Sequence, residues 1–343
     1  MKTAVIGSTG YGGVELIRLI EGHPHLELAM LVSTSQAGER LSRAYPHLQH
    51  LEYTFQELDV ERISQETELV FLATPPGVSV NLTPQLRARG KMVIDLSGDF
   101  RLEDGRSYEA WYNRKAAPDR WLEEAVYGLS EWFAEEIRKA DLIANPGCYP
   151  TATLLGLLPL LRAKMIDHRA LIIDAKSGVT GAGRKVDQSL LFCEVNENLR
   201  PYKVDGHQHI PEIEQIAGRF CSADVKVRFV PHLVPMNRGI LVTLYTPMLH
   251  KYAMTEVLSV YKEAYESAPF VRIVERGWPA TKAVQGSNFC DIGVHVDERT
   301  GWITVLSAID NLMKGAAGQA IQNANVRMGW PVETGLKGLP LVP

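Results

Sequence analysis

The sequence has few cysteines, and they lie far apart. Four occur in 343 residues, and no two of them form a C-x-x-C pair. Disulfide frameworks and zinc ribbons depend on closely spaced thiols. The spacing therefore argues against both, and it is typical of a protein from a reducing compartment. The four residues are Cys148, Cys193, Cys221 and Cys290.

Long apolar runs and a strong excess of one charge are also missing. No apolar run approaches the roughly 20 residues that a membrane-spanning helix needs. The short apolar run at the N-terminus leads into a glycine-rich loop, not a signal-peptide cleavage site. The formal net charge is −4, so we expect no large basic face. These absences predict a cytoplasmic protein with no nucleic-acid and no membrane partner.

The composition that is present fits two globular domains. Apolar residues make up 45% of the sequence and charged residues 22%, and the length suits two domains of ordinary size. In the first part, mostly apolar strand patterns alternate with helical stretches, the first of which covers residues 11–21. This alternation predicts an α/β domain with a parallel sheet covered on both faces. The strand patterns cover residues 2–7, 26–33, 68–74, 91–96 and 141–144.

After Cys148 the pattern changes. The strand candidates become longer and more alternating, and fewer helices separate them. Such a pattern indicates a mixed or antiparallel sheet, hence a second domain of the α+β type. Residues 310–328 predict a helix whose small side chains favour close packing, back on the first domain. The strand candidates of this part cover residues 170–175, 226–230, 239–246, 288–296 and 302–309.

A glycine-rich loop follows the first predicted strand and opens the first predicted helix. It reads Gly7-Ser-Thr-Gly10-Tyr-Gly12-Gly13, with the spacing G-x-x-G-x-x-G. In this setting glycines allow a tight turn and a close approach of the backbone to a pyrophosphate, which the helix N-terminus attracts. The loop predicts a dinucleotide site; the alternative is a purely structural strand-to-helix turn.

The end of the second strand pattern indicates which dinucleotide. An NAD site usually has an acidic residue there for the ribose 2′-hydroxyl, whereas this sequence has Ser33-Thr34-Ser35, followed by Arg40. Hydroxyls without a carboxylate favour a 2′-phosphate, and we therefore expect NADP(H) rather than NAD. The alternative is that the three hydroxyl residues only form a turn.

Cys148 stands out among the cysteines because of its local setting. Pro146 and Gly147 end the strand pattern at residues 141–144, and Pro150 suits the first turn of a helix. The thiol therefore lies at a helix N-terminus after a parallel strand, where ligands bind in open α/β sheets. A helix dipole lowers the pKa of such a thiol, and the thiolate is a nucleophile. The alternative is a buried structural cysteine.

Two histidines are the best candidates for the acid/base group that a catalytic thiol needs; the alternatives are metal ligands or helix-capping residues. His207 and His209 stand just before a helix that Pro211 starts, in the segment GHQHIPE. Metal ligation would require further ligands, and no nearby cluster of cysteine or aspartate supplies them. His23 and His25, by contrast, flank a loop proline and are expected to be solvent-exposed.

Three arginines lie beside glycines or at strand boundaries and could bind an anion. They are Arg101 in GDFRL, Arg184 (followed by Lys185) in SGVTGAGRK, and Arg238 in PMNRGI. The guanidinium group binds two oxygens of a phosphate or carboxylate at once. A second glycine-rich loop begins at Ser177-Gly178, and it could line the nicotinamide or substrate side of a cleft.

Taken in order, these motifs resemble those of the N-acetyl-γ-glutamyl-phosphate reductase family, part of the larger aspartate-semialdehyde dehydrogenase group. The resemblance runs from residue 3 to about residue 325. One position departs from the family's loop, since Gln208 stands where arginine is common, which puts in doubt any charge role there. The motifs are GSTGYGGVEL, DLSGDFRL, VYGLSE, NPGCYPT, SGVTGAGR, GHQHIPEI, PHLVPMNRGI and DNLMKGAAGQAIQN.

The resemblance implies a Rossmann-type NADP-binding domain, rejoined by the C-terminal helix, with an α+β domain for catalysis and dimerisation inserted into it. The expected boundaries are 1–147 plus 313–343 for the first domain and 148–312 for the second. It also implies a homodimer or homotetramer and a small acyl-phosphate substrate. The implied reaction is the NADPH-dependent reduction of N-acetyl-γ-glutamyl phosphate to N-acetylglutamate semialdehyde in arginine biosynthesis, with phosphate released.

The resemblance also assigns roles to individual residues. Cys148 is the nucleophile that forms a thioester, and His209 is the acid/base group, supported by His207. No metal is expected. Substrate contacts are expected from Arg101, Arg184, Arg238 and Asn145. Cofactor contacts are expected from Gly7, Ser8, Thr9, Gly10, Tyr11, Gly12, Ser33, Thr34, Thr74, Ser177, Gly178 and Asn311.

Two other functions remain open from the sequence. The same chemistry could act on an aminoadipyl phosphate attached to a carrier protein, in lysine biosynthesis, because one methylene gives only about 1–3 kcal/mol of discrimination. The mildly acidic balance weakly disfavours a carrier partner. A non-catalytic NADP-binding sensor would keep the glycine loop but would have no use for Cys148 together with the two histidines.

Overall fold

The computed structural model describes residues 1–184 and 186–341. Within them the chain forms two compact units. The first comprises Met1–Pro146 and Ala316–Lys337, and the second comprises Gly147–Gly315 with the segment that begins at Gly338. Lys185, which the sequence pairs with Arg184, lies outside the described residues.

The first unit is built on a six-stranded sheet in which all neighbouring strands are parallel. The strand order is β2-β1-β3-β4-β6-β5. Most strand residues are buried, as expected for a sheet with helices on both faces. The strands are β1 (Lys2–Ile6), β2 (Glu27–Val32), β3 (Leu69–Leu72), β4 (Met92–Asp95), β5 (Val126–Tyr127) and β6 (Leu142–Ala144).

Seven helices of the first unit precede Cys148 in the chain. The first begins and ends at the predicted residues and buries Leu16, Ile17 and Ile20, whose spacing forms one apolar stripe. The two-residue strand β5 was not predicted, so the strand expected at residues 141–144 is the sixth and not the fifth. The helices are α1 (Tyr11–Glu21), α2 (Leu41–Ala44), α3 (Val60–Glu66), α4 (Ser79–Arg87), α5 (Gly105–Tyr112), α6 (Asp119–Glu124) and α7 (Ser130–Ile137).

The second unit contains a seven-stranded mixed sheet of order β11-β12-β13-β10-β7-β9-β8. The strands β12, β13, β10 and β7 are antiparallel neighbours, whereas β11 pairs with β12 and β7 with β9 in parallel. The strands are β7 (Leu171–Ser177), β8 (Arg200–Pro201), β9 (Val227–Leu233), β10 (Ile240–Pro247), β11 (Val271–Ile273), β12 (Cys290–Asp297) and β13 (Trp302–Ile309).

The three longer α-helices of the second unit pack on one face of this sheet. Gly156 allows the first of them to lie close to β10, since a Cβ there would be 2.9 Å from Leu244 Cδ1. On the other face Ile172 and Tyr245 are exposed. The helices are α8 (Cys148–Arg162), α9 (Phe192–Val195), α10 (Ile210–Cys221) and α11 (Met254–Ala264). Short 3₁₀ helices occur at Pro46–Leu48, Val179–Ala182, Gln188–Leu190 and Thr281–Ala283.

The last predicted helix, residues 310–328, begins later than expected. A π-helical turn covers Met313–Ala317, and the α-helix α12 covers Gly318–Met328. The buried Asp310 carboxylate accepts the N–H groups of Leu312 and Met313 at 2.8 and 3.1 Å, and such a cap stabilises a helix start, not its interior. The prediction was therefore wrong over its first residues.

Helix α12 belongs to the first unit, and buried hydrogen bonds hold it there. Gln319 Nε2 and Asn323 Nδ2 both donate to the carbonyl of Gly128, at 2.9 and 2.8 Å. Ser130 Oγ donates to Asn323 Oδ1 at 3.1 Å. Buried amides are stable only when they are paired in this way, so the polar residues of this helix specify where it docks.

The expectation of solvent exposure was wrong for His23, which is 5% exposed. Its Nε2 is 2.9 Å from Asn325 Oδ1, and its Nδ1 accepts the N–H of Leu26 at 3.1 Å. Burial lowers the pKa of His23 below its usual value, with a smaller opposing effect of Asn325. The residue helps to fix α12, a contact between distant parts of the chain that a local sequence pattern cannot reveal. His25 is exposed, as expected.

The predicted fold class is confirmed. The first unit has the parallel sheet and covering helices of a Rossmann-type domain, and the second has the mixed sheet of an α+β domain. Across the described part of the chain, no helix combines the length and the hydropathy that crossing a bilayer requires.

Candidate active site and cofactor loop

In the first unit, the glycine loop after β1 makes a turn that side chains would block. Gly7 has a φ of +85°, and a Cβ there would lie 2.4 Å from the carbonyl oxygen of Ala73. A Cβ on Gly13 would lie 2.4 Å from the oxygen of Gly7. Gly10 is the N-cap of α1 and has no side chain to occupy the N–H groups there. The helix N-terminus is thus open to a phosphate, as a dinucleotide requires.

The other residues of this loop divide into supporting and open positions. Ser8 is buried, and its hydroxyl donates to the carbonyl of Val32 at 2.9 Å, so it ties the loop to β2. Around Gly12, a Cβ would meet nothing within 4 Å. Tyr11, the first residue of α1, is half-buried. The sequence placed all three at the cofactor, whereas the geometry gives Ser8 a supporting contact.

At the end of β2 a group of hydroxyls takes the place of the usual acidic residue. Ser33 Oγ lies 3.5 Å from Thr9 Oγ1 and 3.4 Å from Ser35 Oγ. Thr34 is exposed beside them. The next acidic residue in the chain, Glu39, is paired with Arg43 at 2.6 Å. This set of groups fits a 2′-phosphate better than a 2′-hydroxyl, since phosphate needs donors and a carboxylate would repel it.

Arg101 and Asn145, both expected to bind substrate, are in contact with each other in the first unit. Arg101 Nε donates to the carbonyl of Asn145 at 2.7 Å, and its Nη2 donates to the carbonyl of Leu96 at 2.8 Å. The side chain of Asn145 donates to Ala316 O at 3.1 Å and accepts from Asn323 Nδ2 at 3.0 Å. Both side chains are buried, so their orientation is fixed before any substrate arrives.

In the second unit, Cys148 is the first residue of α8, as the sequence predicts. It takes part in no disulfide and is half-buried. The N-cap is Gly147, so no capping side chain lies over the first turn. Gly315 leaves room beside the thiol, since a Cβ there would lie 2.9 Å from Cys148 Cβ. A thiolate at this place is stabilised by the helix N-terminus.

Glu212 was not singled out by the sequence, but it joins the two helices that carry the candidate catalytic groups. It is fully buried in the first turn of α10, and its Oε1 accepts the N–H of Gly147 at 2.8 Å. A glutamate at this helical position often accepts the N–H of its own N-cap. Here it bonds instead to the residue before Cys148, a partner distant in sequence.

His207 is held neutral by its surroundings. Its ring is buried among Tyr149, Tyr202 and Phe229. Its Nδ1 accepts the N–H of His209 at 3.1 Å, which assigns the ring proton to Nε2. Burial, assisted by the charge of Lys203, lowers the pKa of His207 to about 3.

His209 is the N-cap residue of α10 and lies beside His207, with ring centroids 4.8 Å apart. The N–H of Ile213 donates to its carbonyl at 3.1 Å. Its ring contacts that of Tyr149, which follows Cys148 in α8. The hydrogen bond that fixes the GHQH turn uses the backbone N–H of His209 and the ring of His207. The ring of His209 takes no part in that bond.

The second glycine loop packs against the loop that carries Arg238. Gly178 N–H donates to Gly239 O at 2.9 Å, and a Cβ on Gly178 would lie 2.6 Å from Asn237 O. Thr180 Oγ1 donates to the same Asn237 oxygen at 2.6 Å. Ser177 is buried and donates to the Gly178 carbonyl at 3.0 Å. Close backbone packing explains the glycine at residue 178.

Asn311 joins these two loops. Its Oδ1 accepts the N–H of Gly239 at 2.8 Å, and its Nδ2 donates to Thr180 Oγ1 at 3.0 Å. Arg238 Nη1 lies 3.3 Å from Asp310 Oδ2 and is half-buried. Asn311 was expected to touch the cofactor. In the structure its amide instead supports both loops, through Gly239 and Thr180. Arg184 is exposed.

Thr74 follows β3, and its Oγ1 lies 2.9 Å from Ser79 Oγ at the start of α4. Over residues 1–184 and 186–341, no group of three or more His, Cys, Asp or Glu side chains is placed to hold a metal ion.

Both units match known protein families. Residues 2–140 match the NAD-binding domain of semialdehyde dehydrogenases, and residues 148–311 match the semialdehyde dehydrogenase dimerisation domain. A curated relative from Geobacillus sp. (strain WCH70), named N-acetyl-gamma-glutamyl-phosphate reductase, is 53% identical over 100% of both chains. A relative of the same name from Bacillus cereus (strain B4264) is 54% identical over 99% of both chains.

Solved structures with low sequence identity share the fold. Aspartate semialdehyde dehydrogenase II from Vibrio cholerae, complexed with ASA, aligns with a TM-score of 0.73 at 17% identity, over 96% of this chain and 98% of the other. The aspartate semialdehyde dehydrogenase from Candida albicans with NADP aligns with a TM-score of 0.67 at 16% identity, over 95% and 97%. Since the two domain models and the full-length relatives agree, the chain belongs to the semialdehyde dehydrogenase family, in the group of N-acetyl-gamma-glutamyl-phosphate reductases.

Proposed function

We propose that the protein reduces N-acetyl-γ-glutamyl phosphate to N-acetylglutamate semialdehyde with NADPH and releases phosphate, a step of arginine biosynthesis in the cytoplasm. The substrate is assigned from relatives that match over their full length and are named N-acetyl-gamma-glutamyl-phosphate reductase. The observation that carries the chemistry is the position of Cys148, a half-buried thiol outside any disulfide at the first residue of α8.

The first unit, residues 1–146 with α12, serves as the NADP-binding domain in this proposal. The open N-terminus of α1 holds the pyrophosphate, and Ser33, Thr34 and Thr9 receive the 2′-phosphate. When bound, NADPH supplies the hydride that reduces the acyl group. Gly7 and Gly13 set the backbone of this site, because a Cβ on either would clash with neighbouring backbone, and Gly10 leaves the helix N-terminus without a capping side chain.

Cys148 starts the reaction as a thiolate. Its sulfur attacks the carbonyl carbon of the acyl phosphate, the bond from that carbon to the phosphate oxygen breaks, and phosphate leaves with the electron pair. The product is a thioester on Cys148. A thiolate at a helix N-terminus is a good nucleophile, and it is also a good leaving group in the final step, when the aldehyde is released.

His209 is the residue we assign to proton transfer. It gives a proton to the oxygen that gains charge when the thioester is reduced, and it takes a proton back when the thiohemiacetal collapses to the aldehyde and the thiolate. His207 suits this role less well, because burial lowers its pKa to about 3 and its Nδ1 accepts the N–H of His209. His207 instead fixes the turn that carries His209.

The arginines divide into two groups under this proposal. Arg101, with its side chain fixed by Leu96 and Asn145, presents a rigid guanidinium to the phosphate group. Arg238 and Arg184 provide positive charge for the substrate carboxylate. Arg238 also pairs with the buried Asp310, which fixes its position.

The phosphate-dependent reverse reaction tests the function. Purified protein is supplied with N-acetylglutamate semialdehyde, NADP and phosphate, and NADPH absorbance is followed beside the His209→Gln and His207→Gln variants. We expect wild-type turnover, a loss of about 10²-fold in His209→Gln, and a smaller loss in His207→Gln. No turnover with this aldehyde would remove the arginine-pathway assignment; turnover with the carrier-bound aminoadipate analogue would replace it. A protein that binds NADPH but turns over neither would be a sensor.

The match to a dimerisation domain supports self-association, and we infer a homodimer or homotetramer. The open face of the second sheet exposes Ile172 and Tyr245, at 40% and 37%. The segment 186–204 exposes further apolar side chains, among them Phe192 at 78% and Leu199 at 60%. Exposed apolar groups in such numbers are typical of an interface. Light scattering should show an oligomer that Tyr245→Asp or Phe192→Asp weakens; a monomeric wild type would contradict the inference.

A further inference from the structure

Asp99 is a fully buried carboxylate of the first unit that has no part in the reaction steps above. Its two oxygens accept the N–H of Gly77 at 2.8 and 2.9 Å, and Oδ2 also accepts the N–H of Val80 at 3.2 Å. The hydroxyl of Tyr108 donates to Oδ1 at 2.6 Å. Hydrogen bonds to a charged acceptor are stronger than neutral ones, and inside a protein they replace the lost hydration.

The two backbone donors, Gly77 and Val80, belong to the N-terminal end of α4, the helix that follows β3. In α/β sheets such helix ends attract anionic ligands. The protein's own carboxylate already occupies this one, so α4 does not offer its N-terminus to the cofactor as α1 does. The negative charge of Asp99 therefore fixes the loop between β3 and α4 instead of a ligand.

The loops joined by Asp99 carry residues that the proposed reaction needs. On one side is Thr74, whose hydroxyl lies 2.9 Å from Ser79 Oγ. On the other side, two residues after Asp99, is Arg101, which donates to the carbonyls of Asn145 and Leu96. A displacement of Asp99 would move the cofactor loop and the substrate arginine together.

The surrounding backbone is shaped to admit this carboxylate. Gly77 and Gly98 have φ values of +90° and +101°, which favour glycine. A Cβ on Gly98 would lie 2.8 Å from Tyr112 Oη. The ring of Tyr112 stacks on that of Tyr108 at 4.5 Å, with 14° between the planes. Helix α5 thus supports the hydroxyl that donates to Asp99.

The charge of Asp99 acts on a neighbouring buried carboxylate, that of Asp95. Asp95, at the end of β4, accepts the N–H and the hydroxyl of Ser97 at 3.1 and 2.8 Å. Burial, and then the charge of Asp99, raise the pKa of Asp95 to about 6. Two carboxylates are thus enclosed together, an arrangement that is stable only because several donors face them.

We propose that Asp99 is a positioning residue that holds the Thr74 loop and Arg101 in one rigid unit, so that NADPH and the phosphate group bind to preformed sites. The identities of the two ligands rest on the proposed function. The contacts themselves, and the effect on NADPH affinity, do not depend on the identity of the acyl substrate.

The test is to replace Asp99 with Asn and to measure NADPH affinity by fluorescence and the KM for phosphate in the reverse reaction. Asparagine keeps the shape but loses the charge, and its amide cannot accept from all three donors. We expect the NADPH Kd and the phosphate KM each to rise about tenfold, with a smaller change in kcat. Tyr108→Phe removes one donor and keeps the ring, and we expect a rise of about threefold.

Asp104 provides the matched control. Its carboxylate accepts the N–H groups of Arg106 and Ser107 at the start of α5, at 3.2 and 3.1 Å. Asp104→Asn therefore makes the same exchange of a charge for an amide at a helix N-terminus, but at a place where the side chain joins no second loop. The proposal is overturned if Asp99→Asn keeps wild-type Kd and KM, or if Asp104→Asn changes them equally. If Asp99→Asn does not fold, Tyr108→Phe decides in the same way. A wild type without turnover that nevertheless loses NADPH affinity in Asp99→Asn would refute the proposed substrate and support the positioning role.

Discussion

Helices α1 and α8 begin alike and serve different chemistry. Along the chain, each comes directly after a strand of the parallel sheet, α1 after β1 and α8 after β6. Each has glycine as its N-cap, Gly10 in α1 and Gly147 in α8. In α1 no side chain caps the first N–H groups, and the next residue is Tyr11. In α8 the next residue is Cys148, and the N–H of Gly147 is taken by Glu212. The same positive helix end can thus receive a ligand's phosphate or stabilise a protein thiolate.

The two helix starts therefore differ in the side chain of Cys148 and in the hydrogen bond from Gly147 to Glu212, not in backbone geometry. At α1 the steric restrictions fall on Gly7 and Gly13, which let the loop come close to the neighbouring backbone. At α8 the restriction comes from Gly315, which leaves room for the thiol. Changes at one helix start should accordingly leave the function of the other intact.

The largest effect is expected from Cys148→Ala. Without the nucleophile no thioester forms, and we expect turnover to fall by about 10³-fold or more. The NADPH Kd should stay within about twofold of the wild-type value, because α1 is untouched. Steady-state kinetics and NADPH fluorescence measure the two effects, and a parallel loss of NADPH binding would contradict the separation of the two helix starts.

The converse change is made at α1, with Gly7→Ala and Gly12→Ala as a matched pair. Gly7→Ala forces a Cβ against Ala73 and strains a φ of +85°, so we expect a loss of about 1–3 kcal/mol in the free energy of unfolding. A Cβ on Gly12 would point into open space, so Gly12→Ala should fold normally, while NADPH affinity falls about tenfold because the cofactor approaches there. Denaturation and NADPH fluorescence distinguish the two.

Alkylation of Cys148 by iodoacetamide is the control for this pair. Its rate should be the same in Gly12→Ala as in the wild type. If Gly12→Ala instead binds NADPH normally, the glycine loop is a structural turn and the cofactor assignment to α1 is wrong.

An intermediate effect is expected at the hydrogen bond between Glu212 and Gly147. Glu212→Ala leaves the buried N–H of Gly147 without its acceptor, and we expect kcat to fall about tenfold as Cys148 and His209 lose their fixed spacing. Glu212→Gln keeps an oxygen for that N–H and should retain more activity. The pH dependence of Cys148 alkylation, measured in both variants, distinguishes a displacement of the thiol from the loss of the Glu212 charge. Equal loss of kcat in Ala and Gln would show that the carboxylate charge matters more than the hydrogen bond.

The smallest effect concerns stability and pH. The pKa of His207 is lowered by burial to about 3, so between that value and about 6.5 the unfolded chain binds a proton that the native state does not. Stability is therefore full above pH 6.5 and declines as the pH falls, by about 1.4 kcal/mol at pH 5.5 for this residue. Urea unfolding at pH 7.5 and 5.5 should show a smaller difference in His207→Gln than in the wild type; an unchanged difference would contradict the neutral assignment.

Most of the fold followed from local patterns. Helix α1 was predicted at about residues 11–21, which agrees with its observed bounds. The long strands of both sheets were found within a few residues, because alternation and apolar runs reflect the burial of each strand. The two-residue strands β5 and β8 and the short strand β11 were missed, since so few residues carry no period. The start of the last helix was misplaced because Asp310 caps it from within the predicted stretch.

The candidate site was predictable where the signal lies in one segment. The setting of Cys148 and the glycine loop could be read from neighbouring residues, whereas Glu212 and Asp99 could not. Each of these carboxylates bonds to backbone groups far away in the sequence, Gly147 and Gly77. The supporting contacts of Ser8 and Asn311 were missed for the same reason. Only the folded backbone shows which polar residues hold the site in place.

The thioester on Cys148 is the central claim, and trapping it is the most direct test. The acyl phosphate is generated in situ, NADPH is withheld, and the protein is digested under acid conditions and analysed by mass spectrometry. The account predicts an N-acetylglutamyl adduct on the peptide containing Cys148, absent in Cys148→Ala and lost when NADPH is added. An unmodified Cys148 peptide in protein that still turns over would show that the reduction does not proceed through this thiol.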